Sequence, residues 1–257
     1  MSDISNRQTH TNDDSSSDSD SPIVIDDKLY ADITQNEPHT ISLTSFILGI
    51  VLGIFIGLFP TLKFKSINFY IIALTLFHFL EYYITAKYNP GKVHSDSFLL
   101  FGNGKEYLGA HTFALLECLV EYAFWPQSKR TTGIRYYIVF VGVALTIFGQ
   151  YIRTLAMKTA AQSFSHIIKR KKESNHVLVT NGLYSIFRHP SYFGFFWWAI
   201  GLQLVLLNPF SLIVFTLVLW RFFNQRIKIE EKYLISFFGN DYINYKKHTK
   251  VWIPFIN

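Results

Sequence analysis

The chain has 257 residues, of which 49% are hydrophobic, 18% are aromatic and only 16% are charged. This composition excludes an ordinary soluble domain, in which about 25% of residues are charged, and it predicts an integral membrane protein. The net charge of +6 is unevenly spread, because residues 1–40 hold nine acidic residues against two basic ones, whereas residues 41–257 hold 22 basic against nine acidic residues.

Residues 1–40 are predicted to form a disordered acidic tail in the cytosol. The run DDSSSDSDSP at positions 13–22 has almost no apolar side chain to bury, so burial cannot offset the conformational entropy that folding would cost. The tail also lacks the basic start and apolar centre of a cleavable signal peptide. We therefore expect a solvated segment ahead of the first membrane span.

Four long apolar runs come next, and together they predict four transmembrane helices within residues 41–157. Each run is long enough to cross about 30 Å of hydrocarbon at about 1.5 Å per residue. The runs cover residues 41–60, 67–88, 107–126 and 134–157.

A fifth apolar stretch, residues 191–220, is interrupted by Asn208 and Pro209. Proline breaks a helix interior, so the interruption predicts a helical hairpin over residues 191–224 with its turn at this pair. The second arm needs Arg221 and the two phenylalanines after it to complete a crossing. The predicted fold class is therefore all-α, a polytopic membrane protein with about six transmembrane helices.

Basic residues in the loops predict which side faces the cytosol. Residues 169–172 are all basic, and five lysines follow the hairpin, so the positive-inside rule places both segments in the cytosol. Both termini and a cofactor pocket near these segments would then face the cytosol. The same orientation places the loop with Lys129, Arg130 and Arg135 on the lumenal side, where the positive-inside rule expects few basic residues.

Several ionisable or strongly polar residues lie inside the predicted spans, where each costs about 2–3 kcal/mol or more unless it faces protein or water. They are His78, Glu81, His111, Glu117, Glu121, Gln150 and Arg153. One interpretation is that these groups satisfy one another, for example a glutamate with Arg153. The other is that they line a polar path from the membrane to a site.

Four polar motifs follow one another in the second half of the chain. They are His176-Val-Leu-Val-Thr-Asn-Gly182-Leu-Tyr184, Arg188-His189-Pro190-Ser191-Tyr192-Phe-Gly194, Arg226-Ile-Lys-Ile-Glu230-Glu231 and Phe238-Gly-Asn-Asp-Tyr242-Ile-Asn-Tyr245. With these motifs in this order, residues 150–257 resemble the isoprenylcysteine carboxyl methyltransferases. The second motif alone is less specific, because phospholipid methyltransferases and sterol reductases of membranes carry similar segments.

The resemblance implies S-adenosylmethionine as cofactor and the free carboxylate of a C-terminal prenylated cysteine as methyl acceptor. Carried over position by position, it implies cofactor contacts at His176, Val177, Leu178, Val179, Tyr184, His189, Pro190, Ser191, Tyr192 and Glu230. It assigns Arg226 to the substrate. Lys169 stands where the family has a glutamine, which puts a cofactor contact there in doubt. The methyltransferase region would comprise residues 158–257, with the hairpin and a cytosolic C-terminal segment.

The residue types suit this chemistry. A sulfonium cofactor requires a carboxylate for its positive charge, donors for its own carboxylate, and apolar walls for its adenine. A methyl acceptor that is itself a carboxylate is ionised at neutral pH, so Arg226 is predicted to be catalytic by orienting it rather than by removing a proton. Arg226 precedes Glu230 by four residues, which places both on one helical face. The alternative for this spacing is an ordinary salt bridge on a cytosolic helix.

Other cofactor sites are not predicted. Gly102 and Gly104 lack the third glycine and the strand-turn-helix context of a dinucleotide fingerprint, so we interpret them as a loop and expect a pocket built from helices and loops. The histidines show no metal-ligand spacing, and no metal is predicted.

The resemblance implies further expectations about partners and location. The substrates would be CaaX-processed proteins such as small GTPases, membrane lipids would surround the helices, and no nucleic acid partner is expected. The membrane would be that of the endoplasmic reticulum. Three alternatives stay open from the residues alone: a phospholipid N-methyltransferase, an NADPH-dependent sterol reductase, and a non-enzymatic membrane scaffold or channel.

Overall fold

The computed structural model describes residues 23–25, 28–100, 104–173 and 176–257. Within these residues the chain forms seven α-helices, preceded by a short antiparallel pair of strands, β1 (Ile23–Ile25) and β2 (Lys28–Tyr30). The helices are α1 (Pro38–Leu58), α2 (Lys65–Tyr88), α3 (Lys105–Phe124), α4 (Ile134–Ala160), α5 (Pro190–Leu206), α6 (Pro209–Phe238) and α7 (Asn240–His248). The all-α prediction is confirmed.

Four of the described helices are long and apolar enough to cross a membrane, namely α1, α2, α4 with the turn that follows it, and α6. Helix α5 is apolar but has only 17 residues. Helix α3 has 20 residues and carries charged side chains at both ends, beginning at Lys105. The chain is therefore a multi-pass membrane protein, whereas a count of six crossings stays a prediction.

Part of the predicted tail is folded against the loop after α2. Asn36 is buried, donates a hydrogen bond from Nδ2 to Val93 O at 2.6 Å, and accepts one from Tyr82 Oη at 3.2 Å. Asn36 thus gains partners that only the tertiary structure supplies, and the boundary of the tail at residue 40 stays a prediction. Most of the predicted tail, residues 1–22, 26 and 27, lies outside the described residues, as does Gly102.

The predicted hairpin is confirmed, with its turn at Asn208. Helix α5 ends at Leu206, Leu207 has a left-handed φ of 55°, and Pro209 is the first residue of α6. Proline suits this position because a first-turn N–H has no helical partner in any case. Asn208 Nδ2 also donates to Ala114 O at 2.8 Å, which ties the turn to α3.

Helix α6 is longer than the predicted second arm, since it runs for 30 residues without a break. It ends at Phe238, and the φ of 54° at the next residue, Gly239, is more favourable for glycine than for other residues. One continuous helix therefore carries Arg226 and Glu230 from the apolar arm into the polar region.

Helices α4 and α5 approach one another until their backbones touch. A Cβ atom added at Gly149 would lie 2.5 Å from Gly194 O, and one added at Gly201 would lie 2.7 Å from Gly142 O. Small residues permit such close approach between membrane helices. This packing fixes the N-terminal end of α5, where the second polar motif lies, against α4.

Glu81 and Arg153 satisfy one another, as the first interpretation predicted for a glutamate with Arg153, whereas the other polar groups of the spans bind neighbouring protein groups. Arg153 binds Glu81 through two hydrogen bonds, Nε to Oε1 at 2.5 Å and Nη2 to Oε2 at 2.7 Å. Glu117 accepts hydrogen bonds from the backbone N–H groups of Phe210 (2.8 Å) and Ser211 (2.7 Å) in the first turn of α6. A carboxylate is stabilising there, because the helix N-terminus carries unsatisfied donors and partial positive charge.

Lys129, one of the basic residues on the predicted lumenal side, is buried. Its Nζ atom lies 2.6 Å from Glu121 Oε2 and donates to Asn208 Oδ1 at 2.8 Å and Leu206 O at 3.0 Å. The charge of Lys129 is thus paired within the protein and stabilises the C-terminal end of α5. Because its charge is paired inside the protein, Lys129 no longer counts against the predicted orientation, whereas Arg130 and Arg135 still do.

Candidate functional site

An open cavity lies where the loop before α5, the first turn of α5, the end of α6 and α7 meet. Its volume is about 650 Å³ including the open space at its mouth. All ten residues that the resemblance assigns to the cofactor line this cavity, namely His176, Val177, Leu178, Val179, Tyr184, His189, Pro190, Ser191, Tyr192 and Glu230. Their contact with a cofactor stays a prediction.

Arg188, the first residue of the second motif, is buried and binds protein groups. Its Nε donates to Glu231 Oε1 at 2.5 Å, its Nη1 donates to Thr249 O at 2.6 Å, and its backbone N–H donates to Lys250 O at 2.8 Å. Arg188 therefore ties the start of α5 to α6 and to the segment after α7. Pro190 then begins α5 at the cavity wall.

The two adjacent glutamates of α6 have different surroundings. Glu231 is buried and lies within ion-pair distance of Arg188, His189 and Lys246. Glu230 lines the cavity and accepts a hydrogen bond from Tyr192 Oη at 2.7 Å. Of this pair, only Glu230 presents its negative charge to the cavity.

Arg226 lies beside the cavity, behind Tyr192. Its Nε donates to Tyr192 Oη at 2.8 Å and its Nη2 donates to His166 O at 2.6 Å. The guanidinium also lies over the Tyr192 ring, 5.4 Å from the centroid. Within the described residues Arg226 forms no ion pair with Glu230, so the alternative of a direct salt bridge between them is wrong. Nη1 of Arg226 likewise has no hydrogen-bond partner among the residues that the structure describes.

The first motif forms one wall of the cavity. Burial, together with the nearby charge of Lys169, lowers the pKa of His176 to about 4, so the ring is neutral at pH 7. Nδ1 of this ring is buried without a partner among the described residues. The backbone N–H of Val177 donates to Ser163 Oγ at 3.2 Å, and its carbonyl accepts from the same hydroxyl at 3.0 Å. The backbone of Val177 is thus already engaged, while Leu178 is half-buried in the wall.

Sequence reasoning assigned no role to several further residues that line the cavity. They are Ala160, Ser163, Phe164, Ser165, Leu234, Phe238, Tyr242 and Tyr245. Tyr242 is 1% exposed, and its hydroxyl has no partner within the described residues. Burial raises the pKa of Tyr242, so the hydroxyl is protonated at neutral pH. Tyr242 belongs to the fourth sequence motif, so the sequence did mark this segment, but the motif alone did not assign a function to Tyr242.

Lys169 lies at the edge of the site. It lines a smaller neighbouring cavity with His176 and Glu230, and its Nζ pairs with Glu173 Oε2 at 3.2 Å. Glu173 also pairs with Lys92 at 2.9 Å. The Lys169 ammonium is therefore directed toward Glu173.

Comparisons with known proteins cover almost the whole chain. The model of the isoprenylcysteine carboxyl methyltransferase (ICMT) family matches residues 142–236. The chain is 60% identical over 233 residues to a protein-S-isoprenylcysteine O-methyltransferase of Saccharomyces cerevisiae, covering 90% of this chain and 97% of that protein. The corresponding Homo sapiens protein is 39% identical over 219 residues, which cover 85% of this chain and 75% of that protein.

A solved structure has the same fold. The structure of the eukaryotic intramembrane Ras methyltransferase ICMT superposes with a TM-score of 0.80 at 35% identity, covering 84% of this chain and 77% of that one. The chain therefore belongs to the isoprenylcysteine carboxyl methyltransferase family. The resemblance that the four motifs indicated is confirmed.

Proposed function

We propose that this protein transfers a methyl group from S-adenosylmethionine to the C-terminal carboxylate of a prenylated cysteine. The observation that carries the proposal is the separation of two opposite charges at one edge of the cavity. Glu230 faces the cavity, Arg226 keeps Nη1 available, and the Tyr192 hydroxyl stands between them. A cationic methyl donor and an anionic acceptor would each find an opposite charge here.

The cavity residues fit S-adenosylmethionine. Glu230 would hold positive charge, and the neutral His176 ring and the Tyr242 hydroxyl are buried polar groups that have no partner among the described residues. Buried polar groups normally form hydrogen bonds, so these atoms are suited to the polar atoms of a ligand. Leu178 and Phe238 supply apolar surface. When bound, the cofactor supplies an activated methyl group.

The protein would then catalyse transfer by orientation and by excluding water. A C-terminal carboxylate is ionised at neutral pH, so no general base is needed. Arg226 would hold it through the free part of its planar guanidinium, and Tyr192 would hold Arg226 in place. Apolar side chains of the wall, such as Leu178 and Phe238, would help to keep water from the reacting atoms and so strengthen the charge contacts.

The surroundings of the cavity support a substrate that stays in the bilayer. Helix α6 continues from an apolar arm directly to Arg226, so the farnesyl or geranylgeranyl chain would lie along membrane helices while its carboxylate reaches the site. CaaX-processed proteins such as small GTPases are the proposed substrates, with membrane lipids around the helices. The proposed location is the endoplasmic reticulum membrane, with the cavity facing the cytosol.

The test is transfer of labelled methyl from S-adenosylmethionine to a farnesylated cysteine analogue, using the full chain in membranes. The matched control is the same cysteine analogue without the prenyl group, and phosphatidylethanolamine tests the phospholipid alternative. Methylation of the farnesylated analogue alone is expected, because the guanidinium of Arg226 would repel a cationic amine. Labelling of phosphatidylethanolamine, or no labelling of any acceptor, would contradict the proposal.

A further inference from the structure

Among the described residues, the carbonyl oxygen of His166 is one of two hydrogen-bond acceptors for the Arg226 guanidinium. It accepts a 2.6 Å hydrogen bond from Nη2, while the other partner is the Tyr192 hydroxyl at 2.8 Å. His166 lies in the segment between α4 and α5, outside any helix. A carbonyl in such a segment orients a guanidinium only if the segment itself is fixed.

The side chain of His166 supplies that fixation, because each ring nitrogen faces a polar atom of α2. Burial lowers the pKa of His166 to about 4, so the neutral ring has one N–H. Nε2 forms a hydrogen bond with Thr85 Oγ1 at 3.3 Å, whereas Nδ1 lies 3.7 Å from Glu81 Oε2, beyond hydrogen-bond distance. These two residues are four positions apart and therefore share a face of α2. The ring also contacts the Phe164 ring edge-on at 5.1 Å, and the side chain is only 13% exposed.

Glu81 is itself held by a rigid partner. Arg153 of α4 binds both of its carboxylate oxygens, and Nη1 of the same arginine donates to Ser191 O at 3.3 Å. One buried ion pair is thus connected to both sides of the site. It reaches the first turn of α5 through Arg153 and the Arg226 guanidinium through His166.

We propose that His166 is a positioning residue for the methyl transfer, whose ring, held by Thr85 and packed against Phe164, fixes the carbonyl that orients Arg226. The inference rests on the proposed function in one respect, the assignment of Arg226 to the substrate carboxylate. Two of the five guanidinium donors are occupied by Tyr192 and His166. The carbonyl therefore decides the direction in which the remaining donors point.

His166→Ala in the full chain tests this, because it removes the ring but keeps the carbonyl. A shift of about 1 Å in a positioning group costs up to ~100-fold in rate, so turnover is expected to fall by ~10-fold to ~100-fold. Binding of S-adenosylmethionine, measured directly on the purified variant, is expected to change by less than ~3-fold, since the cofactor residues are elsewhere on the cavity wall. His166→Gln, which restores polar atoms toward Glu81 and Thr85, is expected to recover part of the loss.

A double-mutant cycle separates positioning from general loss of structure. If His166 acts through Arg226, then adding His166→Ala to Arg226→Ala lowers turnover by less than ~3-fold further, whereas independent effects would multiply. His78→Ala is the matched control, because His78 is a buried histidine of α2 that binds Phe98 O. It is expected to show no coupling to Arg226.

Each outcome of the cycle has one meaning. If His166→Ala lowers turnover by the same factor in the parent and in Arg226→Ala, the positioning role is overturned and the assignment of Arg226 to the substrate is unaffected. Parental turnover in Arg226→Ala overturns both. If His166→Ala does not fold, Thr85→Val replaces it in the same cycle, since it removes one ring contact with little change of shape. A coupled loss of ~3-fold or more supports the role, and an uncoupled or absent loss overturns it.

Discussion

The Tyr192 hydroxyl donates a 2.7 Å hydrogen bond to Glu230 and so keeps this carboxylate apart from Arg226, although the two charged residues are four positions apart on α6. The same hydroxyl accepts a hydrogen bond from Arg226 Nε. Direct pairing would have neutralised both groups. The tyrosine instead leaves one charge for each of two ligands.

The first prediction concerns Arg226. Arg226→Lys keeps the charge but loses the planar fork, so it is expected to lose most of the turnover, and Arg226→Ala is expected to lose more. An oriented charge contact is worth about 2–4 kcal/mol at the transition state, which corresponds to a ~30-fold to ~1000-fold drop. Methylation rate and S-adenosylmethionine binding are to be measured side by side. Parental turnover in Arg226→Lys, or equal loss of cofactor binding and activity, would show that Arg226 does not hold the substrate.

The second prediction compares the adjacent glutamates. Glu230→Gln removes negative charge from the cavity and is expected to weaken S-adenosylmethionine binding more than prenylcysteine binding. Glu231→Gln is the matched control, because it breaks the buried pair with Arg188 and should mainly lower the thermal unfolding temperature. Titration calorimetry and thermal unfolding on both variants measure this contrast. Unchanged cofactor affinity in folded Glu230→Gln would refute the assignment.

The third prediction concerns Tyr242. Tyr242→Phe removes a buried hydroxyl that has no partner among the described residues, so the protein without cofactor should be as stable as the parent or more stable. If the hydroxyl binds the cofactor, affinity should fall by ~3-fold to ~10-fold, because a hydrogen bond contributes about 1 kcal/mol. Unchanged or higher stability together with lower cofactor affinity would identify Tyr242 as a cofactor-binding residue. A stable variant with parental cofactor affinity would exclude Tyr242 from the binding site.

The fourth prediction concerns topology. A tag in the loop at residues 169–175 and a second tag after Asn257 are expected to react with an impermeant reagent from the cytosol in intact organelles. The cytosolic location of both tags is expected because the hairpin turns at Asn208 and because basic segments lie on either side of the hairpin. A tag in the loop between α3 and α4 serves as the control and should react only after permeabilisation. Protection of either of the first two tags would overturn the orientation.

The membrane helices followed closely from the sequence. The run at 67–88 corresponds to α2 (Lys65–Tyr88), the run at 134–157 to α4 (Ile134–Ala160), and Asn208 marks the turn of the hairpin. These features are local, because apolar length and proline act on the residues that contain them. The motifs likewise indicated the family and the ten residues around the cavity, because a ligand site requires particular side-chain types in a fixed order.

The tertiary structure alone decided which charge has which partner. Glu230 and Glu231 are adjacent residues of the same type, yet contacts with Arg188 and Lys246 distinguish the buried Glu231 from Glu230, which lines the cavity. Glu81 and Arg153 pair across 72 positions, and the carbonyl that holds Arg226 lies 60 positions away. No local pattern encodes such contacts, since a backbone carbonyl is present at every residue and only the packing of α2, α4 and α6 brings this one to the guanidinium.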